Sequence, residues 1–169
     1  PRACAIDRDR ALQMLAILER AARRYADNPD ERILRARLPI ACATSLLYFT
    51  KSSVLQRLVH QFKYNGKMEI GRYIGQSMGE TLQEASRFGP VDALVPLPLH
   101  AARERKRGYN QSGVLCEGMA EVMQIPVLKN IITRRTATET QTRKGRAERW
   151  ANISGRFELL KPELIKGRH

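Results

Sequence analysis

The run "VDALVPLPLHAARERKRGYNQSG", residues 91 to 113, limits what this chain can fold into more than any other stretch. An apolar, strand-forming segment ends in Pro96 and Pro98. Neither can donate a ladder hydrogen bond, so sheet pairing fades there and the chain turns outward. A basic loop follows, with Arg103, Arg105, Lys106 and Arg107, and then Gly108, Tyr109, Asn110 and Gln111 lead into the next helix. In open α/β sheets, ligands sit beyond the carboxyl ends of strands, where backbone N–H groups gather near helix N-termini. A strand end, four cations and a helix start in one stretch suit a multiply charged phosphate group. The competing reading is an edge strand leaving its sheet, followed by a solvated basic turn.

The rest of the chain gives this segment its surroundings. Residues 9–26 carry apolar positions at helical spacing, and "ADNPDE" breaks that helix, with Asn28 as a cap and Pro29 at the next helical start. Residues 43–50 read as a short strand. Residues 52–64 read as a helix after a serine cap, with His60 beside its apolar stripe rather than in a ligand set. From Lys67 a longer helix repeats Ile70, Ile74, Met78 and Leu82, and its glycines 71, 75 and 79 predict close packing on a neighbour. Gly89-Pro90 ends it and the 91–98 strand follows. A helix is expected over 111–123 and extended structure through "IPVLKNIITRR". Residues 142–152 read as a loop passing into a short basic helix, and "GRFELL" as a last strand. Strands alternating with helices predict an α/β sandwich around a mostly parallel sheet. The expected division is an N-terminal helical, basic segment over 1–42 and a core over 43–169.

Thirty Lys and Arg against 17 Asp and Glu give a net charge of +13, which draws polyanions such as nucleic acid, nucleotides or phosphorylated sugars. Arginine dominates the runs at 103–107 and 143–149, favouring bidentate phosphate contacts. The cysteines Cys4, Cys42 and Cys116 are far apart, which argues against a zinc ribbon or disulfide framework in these residues and suits a reducing cytoplasm. No apolar run is long enough for a membrane span.

"VPLPLHAARERKRGYNQS" resembles the signature of the competence protein F family, predicted amidophosphoribosyltransferases of the type I phosphoribosyltransferase fold. The matching residues are Val95, Pro96, Pro98, Leu99, Arg107, Gly108, Tyr109, Asn110 and Gln111. "TQTRKGRAERWANISGRF" is similar to a second family segment through Gln141, Arg149, Asn152 and Phe157, and "LVHQFKYNGKMEIG" to a third. Together these cover roughly residues 43 to 169. Two features depart from the pattern. The cysteine-rich zinc segment that usually opens the family is not seen, and neither is its phosphoribosyl-pyrophosphate motif, an acidic pair followed by Thr-Thr-Gly-x-Thr. The expectation is therefore a fragment of a phosphoribosyltransferase, inactive as it stands, or a product that has lost the chemistry.

In the complete fold the resemblance implies transfer of a phosphoribosyl group from phosphoribosyl pyrophosphate to a nitrogen nucleophile, with pyrophosphate leaving. Mg2+ would be bound mainly through the substrate. On this reading the pyrophosphate loop comprises Pro98, Leu99, His100, Arg103, Arg105, Arg107, Gly108, Tyr109, Asn110 and Gln111. His100 is expected to be a structural turn residue rather than a general base. A flexible loop over 136–152 would bring Gln141, Lys144, Arg146, Arg149 and Asn152 over the substrate. The rival reading is a basic nucleic-acid-binding accessory protein of DNA uptake, with single-stranded DNA following the same groove and stacking on Tyr109. A third is an adaptor whose N-terminal helix docks a partner. Competence proteins are further expected partners, a bacterial cytoplasmic location is expected, and an oligomer is left open.

Overall fold

The computed structural model of the chain describes residues 29–36, 39–47, 53–85, 88–135 and 155–169, most of them helical. Pro29 opens α1 (Pro29–Arg35), its fixed φ suiting a first helical turn as the sequence predicts. The Asn28 cap and the 9–26 helix lie outside the described residues. The buried carboxylate of Glu31 accepts the Ala43 backbone N–H at 3.1 Å and pairs with Arg35 at 2.9 Å. Residues 43–47, expected to begin a strand, form none. Leu46 and Leu47 pack half-buried against the helical core instead.

Ser53 caps α2 (Val54–Tyr64), its hydroxyl accepting the Gln56 N–H at 3.1 Å. Leu55, Leu58 and Phe62 recur at helical spacing and are buried. They meet α3 (Met68–Glu84), where Ile74 completes the core cluster with Leu55 and Leu58, flanked by Ile70 and by Leu115 of the last helix.

Small residues set how α3 meets the last helix, α5 (Gln111–Met123). A Cβ on Gly75 would lie 2.3 Å from the Leu115 carbonyl oxygen, and one on Gly118 would lie 2.2 Å from the Arg72 carbonyl oxygen. Each glycine therefore lets the opposite backbone come closer than any side chain would allow. Across the same seam Glu121 accepts from Gln76 Nε2 at 2.9 Å and pairs with Arg72. That pairing holds Arg72 above the ordinary arginine range and Glu121 below the ordinary carboxylate range. The close packing predicted from glycines 71, 75 and 79 is thus realised against α5 at Gly75 and Gly79, and against the Phe62 ring at Gly71.

The 101–107 run, expected as a loop, is a short helix, α4 (Ala101–Arg107). The reason is local. Its residues are all strong helix formers, His100 Nδ1 caps the start by accepting the Ala102 N–H at 3.3 Å, and Gly108 ends it at φ 82°. Three cations fill the last turn, where the helix dipole favours positive charge.

Strand structure is smaller than the sequence suggests. β1 (Ile132–Arg134) pairs antiparallel with β2 (Phe157–Leu159), with Ile132 opposite Leu159 and Arg134 opposite Phe157. A 3₁₀ turn over Pro162–Leu164 follows. The expected mostly parallel sheet is not formed among the described residues. Residues 91–98 contribute one parallel bridge, Leu94 to Val127, closed by Leu94 N–H to Pro126 O at 2.9 Å and Leu128 N–H to Leu94 O at 2.8 Å. Pro90, Pro96 and Pro98 have no N–H to give, which confines pairing to the middle of the run. At its start, Asp92 and His169 bond reciprocally, each N–H donating at 2.8 Å to the other residue. No helix among the described residues is long and apolar enough to cross a membrane.

Candidate functional site

The proline-ended segment, α4, the Gly108-Tyr109 turn and the start of α5 form one continuous unit. Asn110 ties it together. Its Oδ1 accepts the Ser112 N–H at 3.1 Å, capping α5, and its Nδ2 donates to the Leu97 carbonyl at 3.1 Å. The helix start is thereby fixed against the outgoing strand segment, as a phosphate site at a strand end requires.

Arg107 closes the turn. Its Nη1 donates to Gln111 Oε1 at 2.7 Å, and its guanidinium lies over the Tyr64 ring, 5.3 Å from the centroid. Gln111 is only 8% exposed, and its Nε2 lies buried without a hydrogen bond of good geometry among the described residues. A buried amide donor beside an arginine is costly unless something accepts from it. Tyr109 anchors the turn to α2. Its hydroxyl donates to the Phe62 carbonyl, and the two rings lie 5.8 Å apart, tilted. Burial pushes the Tyr109 phenol above its ordinary range, partly offset by the neighbouring Gln111 and Arg107.

The sequence-predicted residues therefore divide by position. Arg107, Gly108, Tyr109, Asn110 and Gln111 come together at the junction of α4 and α5. His100, the cap of α4, stands at the opposite end, about 10 Å away by helix rise. Pro98 and Leu99 are half-buried just before it, and Arg105 and Lys106 are exposed on α4. Gln141, Lys144, Arg146, Arg149 and Asn152 lie outside the described residues.

Arg134 is a residue that sequence reasoning missed. It sits on β1 with its guanidinium 5.5 Å from the centre of the Phe157 ring. Burial pulls it below the ordinary arginine range, and the charges of Arg103 on α4 and Arg156 before β2 add to that. The antiparallel pairing of "ITR" with "FEL" sets Arg134 opposite Phe157, and the hydrogen bond from Arg135 N–H to Arg156 O at 3.2 Å continues the pairing. Arg134 thus feels the positive charge of arginines from two other parts of the chain, a setting that suits an anion. Among the described residues, no group of three His, Cys, Asp or Glu side chains forms a metal-binding set.

The chain is 30% identical over 108 residues to competence protein F of Haemophilus influenzae, an alignment covering 62% of this chain and 47% of that protein. It is 31% identical over 118 residues to DNA utilization protein YhgH of Salmonella typhi, covering 68% and 51%. It is 30% identical over the same length to the Escherichia coli K12 protein of that name, again covering 68% and 51%. The chain spans about half the length of the curated relatives it matches. No protein-family model matches it, and no solved structure does.

Proposed function

The chain belongs to the competence protein F family, and from that premise we propose a phosphoribosyltransferase-like protein with a competence-related role, whose 98–111 segment binds the pyrophosphate group of phosphoribosyl pyrophosphate. The observation that carries this reading is the junction of α4 and α5. There Arg107 is held against Gln111 at 2.7 Å, next to a helix start that Asn110 fixes to the strand end. The names of the relatives, for competence and for DNA utilization, support the competence-related role.

Transfer of the phosphoribosyl group is proposed for the whole protein. The bond from the anomeric carbon to the pyrophosphate oxygen breaks, a bond to the acceptor nitrogen forms, and that nitrogen loses a proton. Cations preorganised around the leaving pyrophosphate stabilise the charge that develops on it. Arg107 would meet that charge, with Arg103 and Arg105 behind it. The 136–152 segment, with Gln141, Lys144, Arg146, Arg149 and Asn152, would close over it. Mg2+ would arrive on the substrate's own phosphates. A type I phosphoribosyltransferase fold is proposed for the whole protein; the parallel bridge at Leu94–Val127 is compatible with it.

The experiment is a double-variant cycle on pyrophosphate binding, using Arg107→Gln and Arg149→Gln. Residues sharing one ligand should couple, so the double change should cost measurably less or more than the sum of the single ones. Strict additivity would indicate two separate basic patches.

A further inference from the structure

Of the three cations in the last turn of α4, Arg105 and Lys106 are exposed and Arg107 is half-buried. What covers Arg107 comes from two other elements. Gln111 on α5 accepts from its Nη1 at 2.7 Å, and the ring of Tyr64, the last residue of α2, has its centre 5.3 Å from the guanidinium carbon. That ring is itself held in place. His60, one helical turn earlier on α2, packs on it with ring centroids 4.7 Å apart. The end of α2 is also tied to the turn after α4, because the Tyr109 hydroxyl donates to the carbonyl of the buried Phe62. Yet Tyr64 is 61% exposed, so core packing does not account for a large ring at this position.

We infer that Tyr64 is a positioning residue of the pyrophosphate site, acting through Arg107; the inference rests on the pyrophosphate reading of that site. An arginine side chain without partners samples many rotamers and loses that freedom when it grips an anion, which weakens binding. Held by a ring and a fixed amide oxygen, Arg107 has given up that freedom beforehand. The two restraints also leave it able to bind. Attraction to the π cloud is electrostatic, and Gln111 takes one N–H, so most of the guanidinium donors stay available for phosphate oxygens. No carboxylate competes for them, since Arg107 makes no ion pair among the described residues. A carboxylate in the place of Tyr64 would hold the arginine too, but would cancel the charge that draws the anion. A neutral ring restrains the side chain and leaves its charge in place. The π face is what matters, so phenylalanine should serve as well as tyrosine.

The test titrates the whole chain with inorganic pyrophosphate in a calorimeter, through a cycle of Tyr64→Leu and Arg107→Gln with Tyr64→Phe beside it. Tyr64→Leu keeps apolar bulk at an exposed position but has no π face. It should bind pyrophosphate about 3- to 30-fold more weakly than the native chain, and Tyr64→Phe should rescue the affinity. In the Arg107→Gln background no guanidinium is left to hold, so Tyr64→Leu should weaken binding no further. A merely structural Tyr64 would give the same loss in both backgrounds. A second readout needs no pyrophosphate: in NMR spectra of arginine-labelled protein, the ring current should displace the Arg107 Nε–H in the native chain and in Tyr64→Phe. That displacement should vanish in Tyr64→Leu. Native affinity in Tyr64→Leu beside weakened binding in Arg107→Gln, an equal loss in both backgrounds, or an unmoved Arg107 resonance would overturn the inference and leave the pyrophosphate site standing. No pyrophosphate binding by the native chain, or full affinity in Arg107→Gln, would remove the site and the inference with it.

Discussion

Asn110 and Leu97 are joined by a hydrogen bond of 3.1 Å from the Asn110 side-chain amide to the Leu97 carbonyl, thirteen residues back. The same side chain caps α5 through Ser112. One residue thus sets both where the helix begins and where the strand segment stops, and so holds the shape of the intervening turn.

Replacing Asn110 should separate these roles. Asn110→Ala loses the cap and the tether and should destabilise by about 1–2 kcal/mol in urea denaturation. Asn110→Ser keeps a capping oxygen and should recover about half of that loss. Equal stability of all three chains would mean that neither bond matters in solution.

The seam between α3 and α5 makes a sharper prediction. Gly75→Ala and Gly118→Ala place a methyl group against a backbone carbonyl at 2.3 Å and 2.2 Å, so the helices must move apart. Each should cost about 1–3 kcal/mol, measured as a lower thermal midpoint. Gly113→Ala is the control. Its added Cβ would meet Asn110 Cβ at an ordinary 3.8 Å, and the gain in helix propensity should stabilise the chain by up to about 1 kcal/mol.

Cys116 carries a pH dependence of definite sign. Burial, with Glu117 adding to it, pushes its thiol from 9.0 up to about 11. Between those values the unfolded chain has released the proton and the folded chain still holds it. The unfolded state then binds fewer protons, so stability should fall as pH rises through this window. Cys116→Ala should show a shallower decline from pH 9 to 11 in denaturation midpoints. At pH 8 the Cys116 thiolate should be about a hundredfold scarcer than an ordinary one, and its reaction with iodoacetamide correspondingly slow.

What the sequence made legible was mostly local. Ser53, Pro29 and the capping oxygen of Asn110 act within one turn of their own position, and each helix they begin is where its pattern places it. The glycine spacing on α3 also carried tertiary information, because only a close neighbour makes three glycines at one interval useful. The 101–107 helix was masked by its own charge: four cations read as a solvated loop, although every residue there favours a helix and Gly108 supplies the stop. The parallel sheet was overestimated because apolar alternation marks a segment fit for pairing without supplying partners, and the prolines of 90–98 remove donors. For the candidate site, Arg107 through Gln111 are consecutive in the motif, and their side chains meet at the junction of α4 and α5. The motif could not reveal Arg134, whose burial beside Phe157 depends on the pairing of β1 with β2.

The central claim is that the turn between α4 and α5 holds pyrophosphate, and calorimetric titration with inorganic pyrophosphate tests it most directly. The native chain should bind one equivalent. Arg107→Gln, which removes one charge and its bond to Gln111, should weaken binding by about 10- to 100-fold, the worth of a charged hydrogen bond. Undiminished affinity in Arg107→Gln, or no binding by the native chain at millimolar pyrophosphate, would contradict the account.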